Sequence, residues 1–247
     1  MASPLISHRG SSEAFVLFCF SNTTPMLIRI VPNRNEAKGM SSLQPPPIPP
    51  DIDYQAYYCE ENIWRLCQQP QLQVHKSEVV FISNPRRTCA LWYQRAAPYP
   101  TEPVVWDYHV ILLTQTPDNI WQVWDLDTLL GCPLQAEDYF SMTFWGTPRI
   151  PAQYAPRFRA VPAELFLQHF SSDRSHMRDE QGHYMQPPPP WNAPQRGTES
   201  TNLMRFVDVI HEYIGEVMSL ADTLTRYTGD ANLLKRPAPP PPPQFDV

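Results

Sequence analysis

Three residue types in this sequence are spaced as a hydrolytic site would need them: a cysteine, a histidine and a pair of aspartates. Cys59 stands near the start of an amphipathic stretch, His109 lies in an apolar β-rich run, and Asp125 and Asp127 follow the next turn. Hydrolysis of an amide near neutral pH needs a nucleophile, a base and a group that orients the base. These residues are therefore candidates for acyl-transfer chemistry.

The stretch Tyr57–Gln69 is predicted to form a helix with Cys59 near its start. Apolar residues recur in it at three- and four-residue steps, and Pro70 follows it. Unpaired N–H groups at a helix N-terminus favour negative charge, so a cysteine placed there can be held as a thiolate. A cysteine on an apolar helix face is also a common core residue, and the helix alone leaves both interpretations open.

The base and its orienting acid are predicted to meet across a β-hairpin, formed by the run Pro103–Gln115 and the return strand Ile120–Thr128. In an antiparallel pair the numbers of opposed residues have a constant sum. A sum of 234 places His109 opposite Asp125, whereas a sum of 236 places it opposite Asp127. An odd sum would put the histidine and both aspartates on different faces. We expect a sum of 234, because a turn centred on Pro117 gives that value. Asp127 remains the alternative orienting acid.

Two rival sites are weaker. His176 could serve as the base, but it lies in a polar loop. A zinc site would need three or four closely spaced Cys or His ligands, and Cys59 and His109 would have to recruit distant partners. We therefore expect no metal.

The remaining pattern predicts an α/β (α+β) domain with a mostly antiparallel sheet flanked by helices. Short β-rich runs alternate with turn signals, and helical periods appear at the start, in the middle and at the end of the region. Further strands are expected at Glu78–Ser83, Cys89–Gln94 and Arg157–Val161, further helices at Ala163–Phe170 and from Ser219 to Tyr227, and a long loop at 171–200.

The proline distribution divides the chain. Of 247 residues 30 are proline, and the runs at Pro45–Pro50 and Pro239–Pro243 cannot build helix or sheet interiors. We expect a disordered extension with a proline-rich linker over 1–50, a catalytic domain over 51–233 and a disordered tail over 234–247. A shorter chain could begin at Met40, just before the linker.

Charge and cysteine content exclude several classes of function. The net charge is −6 and the basic residues are scattered, so we expect no nucleic-acid partner. No glycine-rich phosphate loop occurs. The apolar stretch Ala14–Phe20 is too short to span a bilayer. Five cysteines without a CxxC pair indicate free thiols in a reducing compartment, so we expect a cytoplasmic protein, with the nucleus as a further location.

Five blocks, in this order and spacing, resemble the protein N-terminal glutamine amidohydrolase family. The resemblance covers roughly residues 54–230, and the joint match is far more specific than any one block. The blocks are Tyr58–Trp64 (YCEENIW), Val80–Asn84 (VFISN), Trp106–Val110 (WDYHV), Asp125–Thr128 (DLDT) and Phe170–Met177 (FSSDRSHM), the last followed by Pro187–Pro190.

The resemblance implies a monomeric papain- or transglutaminase-like cysteine hydrolase that needs no cofactor. It implies conversion of an N-terminal glutamine to glutamate with release of ammonia, feeding an arginine-dependent N-degron route. By the matched blocks, Cys59 is the nucleophile, His109 the base and Asp125 the orienting acid, so the resemblance selects Asp125 over Asp127.

An enzyme restricted to N-terminal glutamine needs an acceptor for the free α-ammonium group. Glu60, Glu61, Asp107 and Asp173 are the candidates, although the two glutamates would also complement the helix dipole. One alternative is a cysteine hydrolase or transglutaminase-type enzyme that acts on internal glutamine. Another is a non-catalytic adaptor whose proline runs dock on SH3- or WW-type domains.

Overall fold

The computed structural model describes residues 48–73, 76–99, 102–196 and 198–237, together with the backbone of Phe18–Cys19. Most of the predicted extension over 1–50, including most of its apolar stretch Ala14–Phe20, lies outside these residues, as do positions 238–247 of the predicted tail. Within the described part, no helix is long and apolar enough to cross a membrane.

A six-stranded antiparallel sheet forms the centre of the fold, and a second, smaller sheet lies beside it. The central order is β7-β6-β5-β2-β8-β9, and the smaller order is β1-β4-β3, with β1 parallel to β4. The strands are β1 Phe18–Cys19, β2 Ser77–Ser83, β3 Cys89–Leu91, β4 Val104–Trp106, β5 His109–Gln115, β6 Trp121–Trp124, β7 Leu134–Gln135, β8 Arg157–Pro162 and β9 Glu216–Ser219.

Helices cover both faces of the central sheet, which confirms the predicted α+β class. Alternation along β2 explains the two layers: Val80 and Ile82 pack with α3 and α6, while Val79 and Phe81 pack with α1, α4 and α5. The helices are α1 Cys59–Leu66, α2 Pro70–Gln73, α3 Ala136–Thr143, α4 Ala163–His169, α5 Leu203–Val207 and α6 Leu220–Thr228. Short 3-10 turns lie at Thr147–Arg149, Ala152–Tyr154, Ser175–Met177 and Leu233–Lys235.

Several predicted elements are confirmed with small changes of boundary. The first helix begins at Cys59 itself and ends at Leu66, and α2 starts at Pro70 because proline is tolerated in the first turn of a helix. Ser219 caps α6 in a capping box with Asp222, and Gly229 ends that helix in the left-handed conformation.

The prediction of one continuous strand over Pro103–Gln115 is wrong. The strand is interrupted at Asp107 and Tyr108, so β4 belongs to the small sheet and β5 to the central sheet. Ser83 at the end of β2 donates a 2.8 Å hydrogen bond to the Asp107 carbonyl, which fixes the break. The break matters for the site because it places Asp107 and Tyr108 between the sheets and makes His109 the first residue of β5.

The predicted register of the hairpin is also wrong. Gln115 pairs with Trp121 and Leu112 with Trp124, which gives a sum of 236 instead of 234. Thr116 and Ile120 close a three-residue loop in which Asn119 has φ 61°, the left-handed position of such loops. The loop is therefore centred one residue later than expected.

A chain that starts at Met40 is expected to keep the central sheet, because all six of its strands lie between Ser77 and Ser219. The truncation removes β1, whose described contribution is backbone pairing with Val105 and Trp106. We expect retained activity and a thermal midpoint within a few degrees of the full chain, measured by circular dichroism. A larger fall, or aggregation, would show that the extension covers apolar surface of the domain.

Candidate active site

Cys59 is the first residue of α1 and is 8% exposed. The segment that leads into the helix is fixed by Asn62, whose side-chain amide accepts from the Gln55 backbone N–H and donates to the Gln55 carbonyl, each at 2.8 Å. Tyr57 takes a left-handed conformation, with φ 70°, just before the helix begins. The cysteine therefore stands at a helix N-terminus whose approach is held from within the same segment.

The thiol of Cys59 is surrounded by carboxylates. It donates a long hydrogen bond, 3.7 Å, to Oε2 of Glu60. Burial raises the pKa of the thiol, and the negative charges of Glu60 and Asp127 raise it further, while a hydrogen bond from the Val110 backbone N–H opposes them. The helix N-terminus was expected to stabilise a thiolate, but burial and the neighbouring carboxylates favour the protonated thiol.

His109 and Asp125 form a buried pair, with Nε2 and Oδ1 2.9 Å apart. Trp106 stacks on the imidazole at 5.4 Å between ring centroids. Burial disfavours the imidazolium, but the charge and hydrogen bond of Asp125, together with the charges of Asp127 and Glu60, raise the pKa of His109. Nδ1 is buried and meets no hydrogen-bond partner among the described residues. Because Nε2 is engaged by the carboxylate, Nδ1 is the nitrogen available to a reactant.

The carboxylate of Asp125 is saturated with donors. Oδ2 accepts from Gln94 at 3.2 Å and from the Tyr139 hydroxyl at 2.9 Å, and Oδ1 also accepts from the Asp127 backbone N–H. Burial opposes ionisation, but His109 and the hydrogen bonds from Asp127 and Tyr139 together lower the pKa of Asp125. The contact arises although the register is 236, because β6 ends at Trp124 and Asp125 has left the ladder.

Asp127 lies in the same buried space. Its Oδ1 accepts a 2.6 Å hydrogen bond from the Tyr54 hydroxyl, and burial raises its pKa. One ligand atom each from His109, Asp125 and Asp127 lies within 4.8 Å of the others, and such N and O donors suit several divalent cations. His109 and Asp125 already satisfy each other by a hydrogen bond, so the absence of a metal remains our prediction.

A second cluster of side chains surrounds Glu60, the residue after the cysteine. The Tyr108 hydroxyl donates to Oε2 at 3.1 Å, and His176 Nε2 lies 3.2 Å from Oε1 without hydrogen-bond geometry. Burial opposes protonation of His176, but its contact with Glu60 and the charges of Asp107 and Glu61 together raise its pKa. The loop histidine that was considered as a rival base therefore borders the site, in contact with Glu60.

Glu61 binds side chains of the long loop after α4. Its carboxylate accepts from Nε and an Nη atom of Arg174 at 2.7 and 2.8 Å, and from the Trp191 indole at 2.9 Å. Burial raises the pKa of Glu61 and the arginine opposes it. This buried, bidentate pair ties the long loop after α4 to the first turn of α1.

The two aspartate candidates for substrate binding differ in position. Asp107 is partly buried at the break between β4 and β5, and burial raises its pKa to about 7. Asp173 accepts from the Ser175 backbone N–H in a local turn. Although burial opposes it, that hydrogen bonding lowers the pKa of Asp173.

The sequence did not single out the side chains that support the site. Tyr108 and Arg174 lie inside the matched blocks, next to His109 and Asp173, but nothing in those blocks marks them as supporting side chains. The others come from separate segments, and burial of a hydroxyl or amide leaves no sequence pattern. They are Tyr54, Gln94, Tyr108, Tyr139 and Arg174.

A buried cysteine begins a helix that packs against β5, and β5 carries the histidine of a buried histidine–aspartate pair. This arrangement is suited to a cysteine-dependent hydrolase. The chain belongs to the N-terminal glutamine amidase family, whose model matches residues 54–227. The predicted resemblance is thereby confirmed.

Relatives include proteins named protein N-terminal glutamine amidohydrolase. The one from Homo sapiens is 36% identical over 181 residues, covering 70% of this chain and 88% of that protein. The one from Bos taurus is 37% identical over 180 residues, covering 71% and 86%. The one from Drosophila mojavensis is 40% identical over 143 residues, covering 56% and 70%.

Replacement of Arg174 by methionine is expected to destabilise the fold by about 3–5 kcal/mol, because Glu61 would remain buried without its partner. Urea unfolding followed by fluorescence measures the loss. Arg205→Met is the matched control, since Arg205 pairs with Glu199 at an exposed position and should lose about 1 kcal/mol or less. Equal losses in both variants would contradict a structural role for the buried pair.

Proposed function

We propose that this protein hydrolyses the side-chain amide of an N-terminal glutamine, giving N-terminal glutamate and ammonia. Family membership supports the reaction class. The observation that carries the proposal is the buried His109–Asp125 pair, which leaves Nδ1 free, in a site where Cys59 begins a helix. Nucleophile, base and orienting acid come from three separate segments, as in other triads.

The first half of the reaction forms a thioester. Nδ1 of His109 takes the thiol proton, and the Cys59 sulfur attacks the carboxamide carbon of the substrate. Backbone N–H groups at the start of α1, including that of Cys59, hold the developing oxyanion. The imidazolium returns the proton to the nitrogen as the C–N bond breaks, and ammonia leaves.

The second half hydrolyses the thioester and restores the enzyme. His109 removes a proton from water, the hydroxide attacks the acyl carbon, and the C–S bond breaks as the cysteine regains its proton. Asp125 keeps the imidazole in the tautomer that presents Nδ1 as the base, and it stabilises the imidazolium of each half-reaction. These steps require no cofactor.

Restriction to N-terminal glutamine follows from acidic groups beside the nucleophile. A site with buried acceptors for an ammonium group rejects an internal or acetylated glutamine, since those acceptors would be left unpaired. Of the four candidates, Glu60 and Asp107 raise the pKa of the Cys59 thiol by their charge. Glu61 and Asp173 have partners elsewhere.

We extend the proposal to a wider setting. The catalytic domain spans residues 51–233 and acts as a monomer in the cytoplasm, and also in the nucleus. Its substrates are proteins and peptides that begin with glutamine, and its product feeds an arginine-dependent N-degron route. No nucleic acid or membrane takes part.

Incubation of a glutamine-initiated peptide with the protein, followed by mass spectrometry, tests the reaction through the gain of about one dalton on deamidation. The acetylated peptide should remain unchanged. Comparable reaction of both peptides would favour the enzyme that acts on internal glutamine. Reaction of neither would favour a non-catalytic adaptor role.

Replacement of Cys59 by alanine is expected to abolish deamidation with the fold intact, because the thiol is a reactant. Loss of a nucleophile costs several orders of magnitude in rate. Cys67→Ala is the matched control: Cys67 is buried just beyond the end of the same helix, so it should cost stability and leave the chemistry unchanged. Ammonia release measures both variants, and substantial activity of Cys59→Ala would exclude this nucleophile.

Asparagine at Asp125 is expected to lower kcat by about 10³–10⁴, by analogy with serine triads, since it permits the wrong imidazole tautomer. Asp127→Asn should lose less, because Asp127 accepts from Tyr54 and its backbone N–H, rather than its carboxylate, supports Asp125. Steady-state kinetics of the two variants give the ranking. The reverse order would make Asp127 the orienting acid.

A further inference from the structure

One carboxylate oxygen of Glu60, Oε1, accepts no hydrogen bond from the residues that the structure describes, although it lies 3.2 Å from Nε2 of His176. We propose that this oxygen accepts the α-ammonium group of the substrate, and that the same carboxylate keeps Cys59 protonated until that ammonium is bound. This inference rests on the proposed function and deepens it: recognition of the free N-terminus and activation of the nucleophile would become one electrostatic event.

The two oxygens of Glu60 have different surroundings. Oε2 accepts from the Tyr108 hydroxyl at 3.1 Å and from the Cys59 thiol at 3.7 Å. Oε1 is buried and has no hydrogen bond among the described residues, although Glu60 has no exposed surface. A buried carboxylate oxygen without a donor is costly. An ammonium group, with three N–H donors, would satisfy it.

The distances suit a glutamine that reacts at Cys59. Four bonds separate the carboxamide carbon of glutamine from its α-nitrogen, so the two atoms are at most about 5 Å apart. A carboxylate within 3.7 Å of the sulfur therefore lies within reach of the ammonium while the sulfur contacts the carboxamide carbon. The tether to Tyr108 holds the carboxylate at that separation.

The other acidic candidates fit this role less well. Glu61 is committed to Arg174 in a bidentate pair. Asp173 is engaged in its own loop. Asp107 has a pKa raised to about 7 by burial, so near neutral pH it carries only part of its charge. Glu60 combines full burial, contact with the sulfur and an oxygen without a donor.

The charges around the cysteine explain the coupling to activation. Burial raises the pKa of the Cys59 thiol, and the charges of Glu60, Asp127 and Asp107 raise it further. A cation beside Glu60 opposes that field, so thiolate formation at His109 becomes easier when the ammonium arrives. Substrates without this charge would meet a protonated, poorly nucleophilic thiol.

His176 competes for the same oxygen when it is protonated. Its Nε2 lies 3.2 Å from Oε1 of Glu60. Burial opposes protonation, but this contact and the charges of Asp107 and Glu61 together raise its pKa above the ordinary 6.5. The imidazolium opposes ammonium binding, so KM should fall as pH rises through this titration. KM should rise again when the peptide α-amine deprotonates, near about pH 8.

Glu60→Gln should weaken turnover of the substrate but make the Cys59 thiol easier to ionise. We expect kcat/KM for a glutamine-initiated peptide to fall about 100-fold or more, because a buried charge partner is lost, and discrimination against the acetylated peptide to shrink equally. Alkylation of Cys59 by iodoacetamide, followed by peptide mass mapping from about pH 6 to 9, should move to lower pH by about one unit, because a like charge is removed. A loosened fold would speed alkylation of the buried Cys67 as well, so an unchanged Cys67 rate in the same peptide map separates the charge effect from a structural defect.

Glu78→Gln is the matched control, since Glu78 is a buried carboxylate paired with Arg226 and Tyr227. It should lose stability and keep both the discrimination and the alkylation profile. If Glu60→Gln does not fold, Glu60→Asp retains the charge but withdraws it from the ammonium. That variant should lose kcat/KM with little change in alkylation.

Wild-type discrimination in a folded Glu60 variant would overturn the assignment of the ammonium site. An unshifted or slower alkylation profile in Glu60→Gln would overturn the coupling to the thiol. In either case deamidation by the wild-type protein, and its loss in Cys59→Ala, would leave the proposed function standing. Failure of the wild-type protein to deamidate would instead remove the function.

Discussion

The hydrogen bond between His109 and Asp125 lies in the fully buried interior, and much of the site is arranged to make that burial tolerable. A buried carboxylate is stable only when its lone pairs find donors. Gln94, Tyr139 and the Asp127 backbone supply them. Those donors come from the chain after β3, from α3 and from the turn after β6, so three elements converge on one side chain.

The first turn of α1 also buries carboxylates, and its two glutamates find donors to different extents. Adjacent glutamates are buried next to the cysteine, where the positive end of the helix favours negative charge. Arg174 and Trp191 donate to both oxygens of Glu61, which anchors the loop after α4. Glu60 accepts from Tyr108 and the thiol on one oxygen, while the other, 3.2 Å from His176, accepts no hydrogen bond from the described residues. One glutamate is thus part of the scaffold, while the other retains capacity to bind.

Much of the fold could be predicted from the sequence, because hydrophobic periodicity and capping residues act locally. The helix at Cys59, the last helix from Ser219 and the antiparallel class followed from such patterns. The strand break at Asp107 did not, since it depends on a hydrogen bond from Ser83 in another strand. The register of the hairpin depended on a left-handed Asn119 that no spacing reveals.

The candidate site shows why a wrong register can still bring the expected residues together. His109 was placed opposite Asp125 by a sum that the strands do not adopt. The contact forms instead because β6 ends at Trp124, which frees Asp125 to turn toward the imidazole. Any even sum of paired residue numbers places His109 and Asp125 on the same face of the hairpin. The error of two in the predicted sum therefore changed the pairing along the strands but not the face. The side chains that donate to Asp125 could not be predicted in this way, because they lie outside the hairpin.

The excess of negative charge around Cys59 runs against the usual way to activate a cysteine, in which neighbouring cations stabilise the thiolate. Glu60, Asp107 and Asp127 all oppose its ionisation. A site built this way gives up reactivity in the absence of substrate. That loss becomes useful when the substrate itself carries the missing cation, because the nucleophile is then strong only in the complex with the correct partner. Binding of the ammonium group reduces the electrostatic cost of forming the thiolate, so part of the binding energy lowers the barrier to thioester formation instead of only increasing affinity.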